Sequence, residues 1–392
     1  MKRKRRGLGR SFEDLQDFLR DYTAGMSTRE MRRVFERDAA RAYEDLTREQ
    51  GRDEQPRDDF HLFWLRVRRV FLGLSYKLTP GRRMLFAAAL IAAVLGLFNV
   101  RIGSIGVSKQ FTVDFSPLWF LASIGALTLL LALELADRLR VRDELEVARE
   151  VQRDLLPLDL PDVAGYRFAA SYRTALEVGG DAYDLVPLPD GRVALWVSDA
   201  SGHGMAAGLV MAIAKATFST ALDLDPSPPR VAELLNRAIW RTGNQRTFLS
   251  AFYGLLTPET GEIEWVCAGH PFPLVLREGE GNGSHVEEIG VGGLPFGLRE
   301  SLDAPCGRTT LAPGETLVLY TDGLPEGVDS RFEAFGFPRI AALVAGGGTP
   351  ENVHDRLLAA FDAHCGEEPL KDDLTILVVG RAPAFQEITL PQ

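Results

Sequence analysis

Residues 193–204 read Val193-Ala194-Leu195-Trp196-Val197-Ser198-Asp199-Ala200-Ser201-Gly202-His203-Gly204. The first six form a short, almost wholly apolar run, the signature of a strand with both faces buried. An aspartate ends that run and opens a glycine-rich turn. Further strand-like runs lie at 249–256, 316–320 and 375–379, and helical runs at 206–222, 230–241, 335–344 and 352–364. The turn Thr257-Pro258-Glu259-Thr260-Gly261 joins neighbouring strands tightly, which favours antiparallel pairing. The pattern predicts an α+β domain over 161–382, with helices covering its sheets, and argues against a doubly wound parallel fold.

Two apolar stretches, 84–100 and 117–133, dominate the first half and contain no charged residue. Each is at the lower end of the length that spans a bilayer, and neither shows the polar stripe of a long soluble helix. Arg82 and Arg83 precede the first; Arg138, Arg140 and Arg142 follow the second. The positive-inside rule then predicts a two-helix hairpin over 81–136 in the cell membrane, both termini cytoplasmic, with Trp119 as an interfacial anchor.

The net charge of −10 divides unevenly: residues 1–83 carry 21 Lys+Arg against 14 Asp+Glu, or +7, leaving −17 for the remainder. A basic region beside apolar segments suits anionic membrane lipid rather than nucleic acid. Residues 1–80 read as a cytoplasmic region of charged helices, in which 60–74 mixes aromatics with arginines like a surface-lying segment. No apolar run follows the basic start, so no cleaved signal peptide is expected. Val141, Leu145, Ala148, Gln152 and Leu155 repeat at 4-3-4-3 spacing, predicting a coiled-coil connector over 137–160 and a homodimer through it. Cys267, Cys306 and Cys365 are too scattered for a disulfide framework or a zinc site.

The chemistry lies in the placement of aspartates. Asp181 follows Val178-Gly179-Gly180, Asp199 ends its strand, Asp322 follows another in Tyr320-Thr321-Asp322-Gly323, and Asp372-Asp373 precede a third. Glycine lets such backbone approach closely and turn sharply. Several carboxylates meeting in one place repel one another and need compensation by divalent cations. Oxygen-only ligation selects Mg²⁺ or Mn²⁺ over zinc, and a pair of such ions can activate water against a phosphoryl group.

Residues from about 148 to 381 resemble the SpoIIE/RsbU-type branch of the PPM (protein phosphatase 2C-like) superfamily. The matching strings are Glu150-Val151-Gln152-Arg153-Asp154-Leu155-Leu156-Pro157, the run from Val178 to Asp184, Asp199 to Gly204, Ala268-Gly269-His270-Pro271, Tyr320 to Gly323 followed by Glu326, and Asp372 to Val379. The resemblance implies an α-β-β-α sandwich phosphatase holding two Mn²⁺ or Mg²⁺ ions. Asp181, Asp199, the Ala200 carbonyl, Asp322 and either Asp372 or Asp373 would be the ligands, with Asp372 preferred.

It further implies a phosphoserine or phosphothreonine protein substrate, of the anti-anti-sigma (STAS) type, attacked by metal-activated water. His203 is a candidate proton donor to the departing serine oxygen. His270 reads as a structural turn residue and Arg173 as an exposed strand-end charge. Ala182, Ala200 and Leu324-Pro325 depart from the family pattern, and Ala182 is expected to leave room beside the metals. No departure removes a carboxylate. A catalytically silent membrane scaffold and a small-molecule phosphatase stay open as alternatives.

Overall fold

The structure, a computed structural model, describes residues 71–98, 101–103, 112–157, 159–243, 247–278, 284–366 and 368–383. The readings of 1–70 lie outside them. The chain divides into two compact units, Met1–Leu139 and Arg140–Gln392.

In the first unit, helix α1 (Pro80–Leu97) starts with proline in its first turn, where the missing N–H costs nothing. Strands β1 (Arg101–Gly103) and β2 (Thr112–Asp114) pair antiparallel, and α2 (Ser116–Leu155) follows. Gly96 meets the Phe120 ring, while Arg82 pairs with Glu134 at 3.1 Å and Asp137 at 2.7 Å. Contacts of 96 with 120 and 82 with 134 describe an antiparallel helix pair. Met84, Leu97, Leu121 and Leu131 remain exposed on its outside. The second apolar stretch and the connector form one unbroken helix, since nothing between 117 and 155 after Pro117 is Pro.

The second unit contains β3 (Tyr166–Arg173), β4 (Ala182–Pro187), β5 (Val193–Ala200), α3 (Met205–Leu224), α4 (Pro228–Thr242), β6 (Leu249–Thr257), β7 (Glu262–Ala268), β8 (Leu274–Arg277), β9 (His285–Glu288), β10 (Cys306–Thr310), β11 (Thr316–Tyr320), the single turn α5 (Gly323–Glu326), α6 (Phe337–Ala345), α7 (Pro350–Cys365) and β12 (Leu374–Arg381). Its strands form two five-stranded sheets, ordered β10-β7-β6-β5-β4 and β3-β12-β11-β8-β9, with every pairing antiparallel.

Alternation assigns the faces. Val193, Leu195 and Val197 enter the core between the sheets together with Leu317, Leu319, Leu377 and Val379. Ala194, Trp196 and Ala200 face α3 and α4, while Val318, Tyr320, Ile376 and Val378 face α6 and α7. Strands buried on both sides read as continuous apolar runs because neither face can be polar. The layers are therefore helix, sheet, sheet, helix. Strand β5 extends past the expected end at 198, because Asp199 and Ala200 still pair with Ser250 and Leu249.

Helix α7 shows how the sequence sets its limits. The Thr349 hydroxyl accepts from the Asn352 N–H, Pro350 occupies the first turn, and Gly366 ends the helix at φ +61°. Helix α6 begins at Phe337 rather than 335, since Phe335 is drawn into the core against Phe361.

Among the described residues, three helices are long and apolar enough to cross a membrane: Pro80–Leu97, Ser116–Leu155 and Met205–Leu224. In α3, the third of these, Ala207, Met211, Ala214 and Phe218 are fully buried in the domain core. Phe218 stacks on Trp196 with ring centroids 4.5 Å apart and meets the edge of Tyr253. Phe218→Ala should therefore cost about 3–5 kcal/mol, a fall of roughly 10 °C in the domain's thermal midpoint, measurable by circular dichroism.

Candidate metal centre

One end of the sandwich collects the acidic residues. Pairing of Ala182 with Ser198 puts Asp181, just before β4, beside Asp199 on β5. On the other sheet, Tyr320 pairs with Ile376, and the Thr321 N–H donates to the Thr375 carbonyl. That register brings Asp322, after β11, next to Asp372 and Asp373, before β12. A Cβ at Gly323 would lie 1.9 Å from the Asp373 carbonyl oxygen, so only glycine fits at that crossing.

Asp181 ties the two sheets together. It is 1% exposed, and its Oδ2 accepts from Thr321 Oγ1 and Thr375 Oγ1, each at 2.7 Å. The Thr375 N–H donates to Thr321 Oγ1 at 3.0 Å, closing the network. Asp373 organises the preceding loop: its Oδ1 accepts from Ala175 N–H at 2.8 Å and its Oδ2 from Gly180 N–H at 2.5 Å. Asp372 Oδ1 accepts from the Asp373 N–H at 2.8 Å.

The loop bearing Asp181 is also gripped from α2. Gln152 Nε2 donates to the Gly179 carbonyl at 2.5 Å, and the Gly179 N–H returns a bond to Gln152 Oε1 at 2.9 Å. Gln152, expected as a polar position in a coiled-coil seam, is instead buried against this loop. Thr321, Thr375 and this role of Gln152 escaped the sequence reading, although all three lie inside motifs it quoted.

The electrostatics follow from this packing. Burial, then the negative charges of Asp322, Asp372, Asp373 and Glu326, push the Asp199 carboxyl up to about 8. Burial and the charges of Asp372 and Glu326 push Asp322 up to about 6. Asp181 is raised by burial and by Asp199, against the lowering effect of its two threonine donors. Each carboxylate thus disfavours its neighbours' ionisation.

The donor set fits divalent cations. It is all oxygen, it is crowded with negative charge, and the buried Asp322 Oδ1 has no hydrogen-bond partner. Among the described residues, no three His, Cys, Asp or Glu side chains stand close enough to enclose one ion. Mg²⁺ requires no such cage, since it keeps several waters and is held by one or two carboxylates together with substrate phosphate.

The other candidates separate clearly. His203 is exposed on the turn before α3. His270 is buried beside Ser250 Oγ at 3.1 Å, and burial lowers its pKa to about 3, so it stays neutral. Arg173 forms a two-point pair with Asp362 at 2.6 and 3.1 Å, as suits a strand-end charge. Ala182 does not open space beside the cluster as expected. Its side chain points to the helix side of β4 and packs in that core with Ala200 and Ala207. Asp184 pairs with Lys215 of α3.

Residues 189–382 match the family model for Stage II sporulation protein E, SpoIIE. The C-terminal unit is a SpoIIE/RsbU-type PPM domain. The chain is 24% identical over 250 residues to phosphoserine phosphatase RsbU of Bacillus subtilis, covering 62% of this chain and 71% of that protein. It is 25% identical over 281 residues to protein IcfG of Synechocystis sp., covering 64% of this chain but only 43% of IcfG. The SiaA-PP2C domain of Pseudomonas aeruginosa shares the fold, with a TM-score of 0.53 and 23% identity over 62% of this chain and 98% of that domain.

In the SpoIIE-type domain without divalent cations, Asp199 binds its proton more tightly folded than unfolded, where its value is 3.8. The stability it contributes is full below about pH 4 and is lost as pH rises through about 8. The domain's thermal midpoint in chelator should fall over that window. Asp199→Asn should flatten the slope and raise the midpoint at pH 8 by at least about 3 °C. Differential scanning calorimetry across pH checks both.

Proposed function

We propose that this chain is a membrane-anchored, metal-dependent protein serine/threonine phosphatase. The observation that carries the reading is the gathering of Asp199, Asp322, Asp372 and Glu326 at one end of a SpoIIE-type sandwich, where burial first and then these neighbouring charges raise the Asp199 carboxyl to about 8. The similarity to RsbU, a phosphoserine phosphatase by name, supports a phosphoserine substrate. The family resemblance favours an anti-anti-sigma, STAS-type protein.

Asp181, Asp199, the Ala200 carbonyl, Asp322 and Asp372 are the residues that would hold two Mn²⁺ or Mg²⁺ ions. Asp372 is preferred over Asp373 because both Asp373 oxygens already accept backbone N–H groups. Bound there, the ions supply charge neutralisation and activation of water for attack on phosphorus. The chain itself fixes the geometry: Asp181 is immobilised by its threonines, and Gln152 holds the Gly179 loop. His203 is assigned to protonate the departing serine oxygen, and its exposure supports access to a protein substrate.

Helix α1 and the first part of α2 are the proposed spans. Helix α3 is not counted because its apolar face belongs to the domain core. Arginines at 82, 83, 138, 140 and 142 favour cytoplasmic termini. Val141, Val147 and Val151 are exposed on α2, which supports pairing of two copies through this connector.

The purified full chain should hydrolyse p-nitrophenyl phosphate with Mn²⁺ and lose more than roughly 100-fold in kcat/KM on Asp199→Asn. In the same assay Gln152→Ala should raise the Mn²⁺ concentration needed for half-maximal activity. No turnover above background with Mn²⁺ would leave a silent scaffold as the better description, and turnover that is equal without Mn²⁺ or undiminished in the Asn variant would overturn the metal-dependent reading.

A further inference from the structure

A second charged feature lies outside the carboxylate cluster. A cavity of about 320 Å³ lies between the last turns of α2 and the end of β3, lined by Arg149, Arg153 and Arg173 together with Tyr172 and Thr174. No carboxylate is among its lining residues. It stands in a region of the chain whose net charge is strongly negative. The three arginines are not equally committed. Arg173 is compensated by its two-point pair with Asp362. Among the described residues, no hydrogen bond or ion pair involves the side chain of Arg149 or Arg153.

Four positions apart on α2, Arg149 and Arg153 share one face of the helix, where like charges repel. A cation in the last turn complements the helix dipole, which accounts for Arg153. It does not account for Arg149, one turn earlier, beside a cavity that already holds two positive charges. The cavity wall adds a donor. The Tyr172 hydroxyl is buried and has no hydrogen-bond partner, which costs free energy unless an acceptor is supplied.

We infer that Arg149, Arg153 and Tyr172 form a binding site for a small dianionic oxyanion of the phosphate class, held between α2 and β3. Guanidinium groups present planar N–H pairs that match phosphate oxygens, and a dianion offsets the charge of both arginines. The Tyr172 hydroxyl gains the acceptor it lacks. The bound anion pins the last turns of α2 to the domain. Those turns also carry Gln152, whose amide holds the Gly179 loop. Free inorganic phosphate and the phosphoryl group of a small ester share this chemistry. The site is separate from the acidic cluster, which repels anions when no cation is bound. The inference therefore does not depend on the phosphatase reading.

The test is calorimetric titration of inorganic phosphate into the purified full chain in excess chelator at about pH 8, where phosphate is dianionic. Sodium chloride at matched ionic strength is the control. Saturable binding is expected, and Arg149→Gln and Arg153→Gln should each weaken it about tenfold or more. Both side chains are exposed, so both variants should fold, with unchanged circular dichroism. Phosphate also stabilises proteins by exclusion from their surfaces, so a rise in thermal midpoint supports the site only where the variants lack it. Phosphoserine in place of phosphate separates the two sources. Equal or weaker affinity assigns the site to free phosphate, and tighter binding assigns it to an ester. No saturable binding, or binding that both variants retain, overturns the inference. Loss of a dimer in the variants, with no response to phosphate in the unaltered chain, would assign the arginines to carboxylates of a second copy and overturn it too.

Discussion

Repulsion among buried carboxylates is the constraint around which the C-terminal unit is organised. Asp199 sits inside a strand, not on a free loop, so its backbone cannot move away from Asp322, Asp372 and Glu326 without breaking its pairing with Ser250. Asp181 is fixed by two threonine hydroxyls supplied by the opposite sheet. The ends of two sheets are thereby locked together where their charges conflict. On the reading proposed above, a fold that stabilises such a cluster through its remaining contacts would hold a centre primed for cations, and would lose stability where the cations are withheld.

The architecture supplies those remaining contacts. Three apolar layers, one between the sheets and one beneath each helix pair, bury β5, β11 and β12 on both faces. The strands that bear Asp199, Asp322 and Asp372 at their ends are thus among the least free to move. Functional side chains on rigid strand ends keep their geometry better than those on loops. The two loops that do contribute, around Gly179 and around Asp373, are tied by Gln152 and by backbone donors to the Asp373 carboxylate.

Much of this was legible in the chain. The apolar runs at 193–198 and 316–320 have the length and composition of strands buried on both faces, and an aspartate after each marks where the chain leaves the sheet. What was not legible is non-local. Thr321 and Thr375 are ordinary strand residues until Asp181, 140 and 194 positions away, is brought between them. Gln152 satisfied a 4-3-4-3 seam equally well, and only its amide partner 27 residues on reveals the other role. The family resemblance already favoured Asp372 over Asp373, but that both Asp373 oxygens are taken by Ala175 and Gly180 N–H groups, while Asp372 accepts at Oδ1 alone, is not visible in two adjacent identical residues.

The central claim is that the cluster holds protons which divalent cations displace. Calorimetric titration of Mn²⁺ into the purified full chain at pH 7, repeated in buffers of different ionisation enthalpy, measures this directly. With Asp199 held near 8, saturable binding should release roughly one proton per molecule. Absence of saturable Mn²⁺ uptake, or uptake with no proton released, would contradict the account.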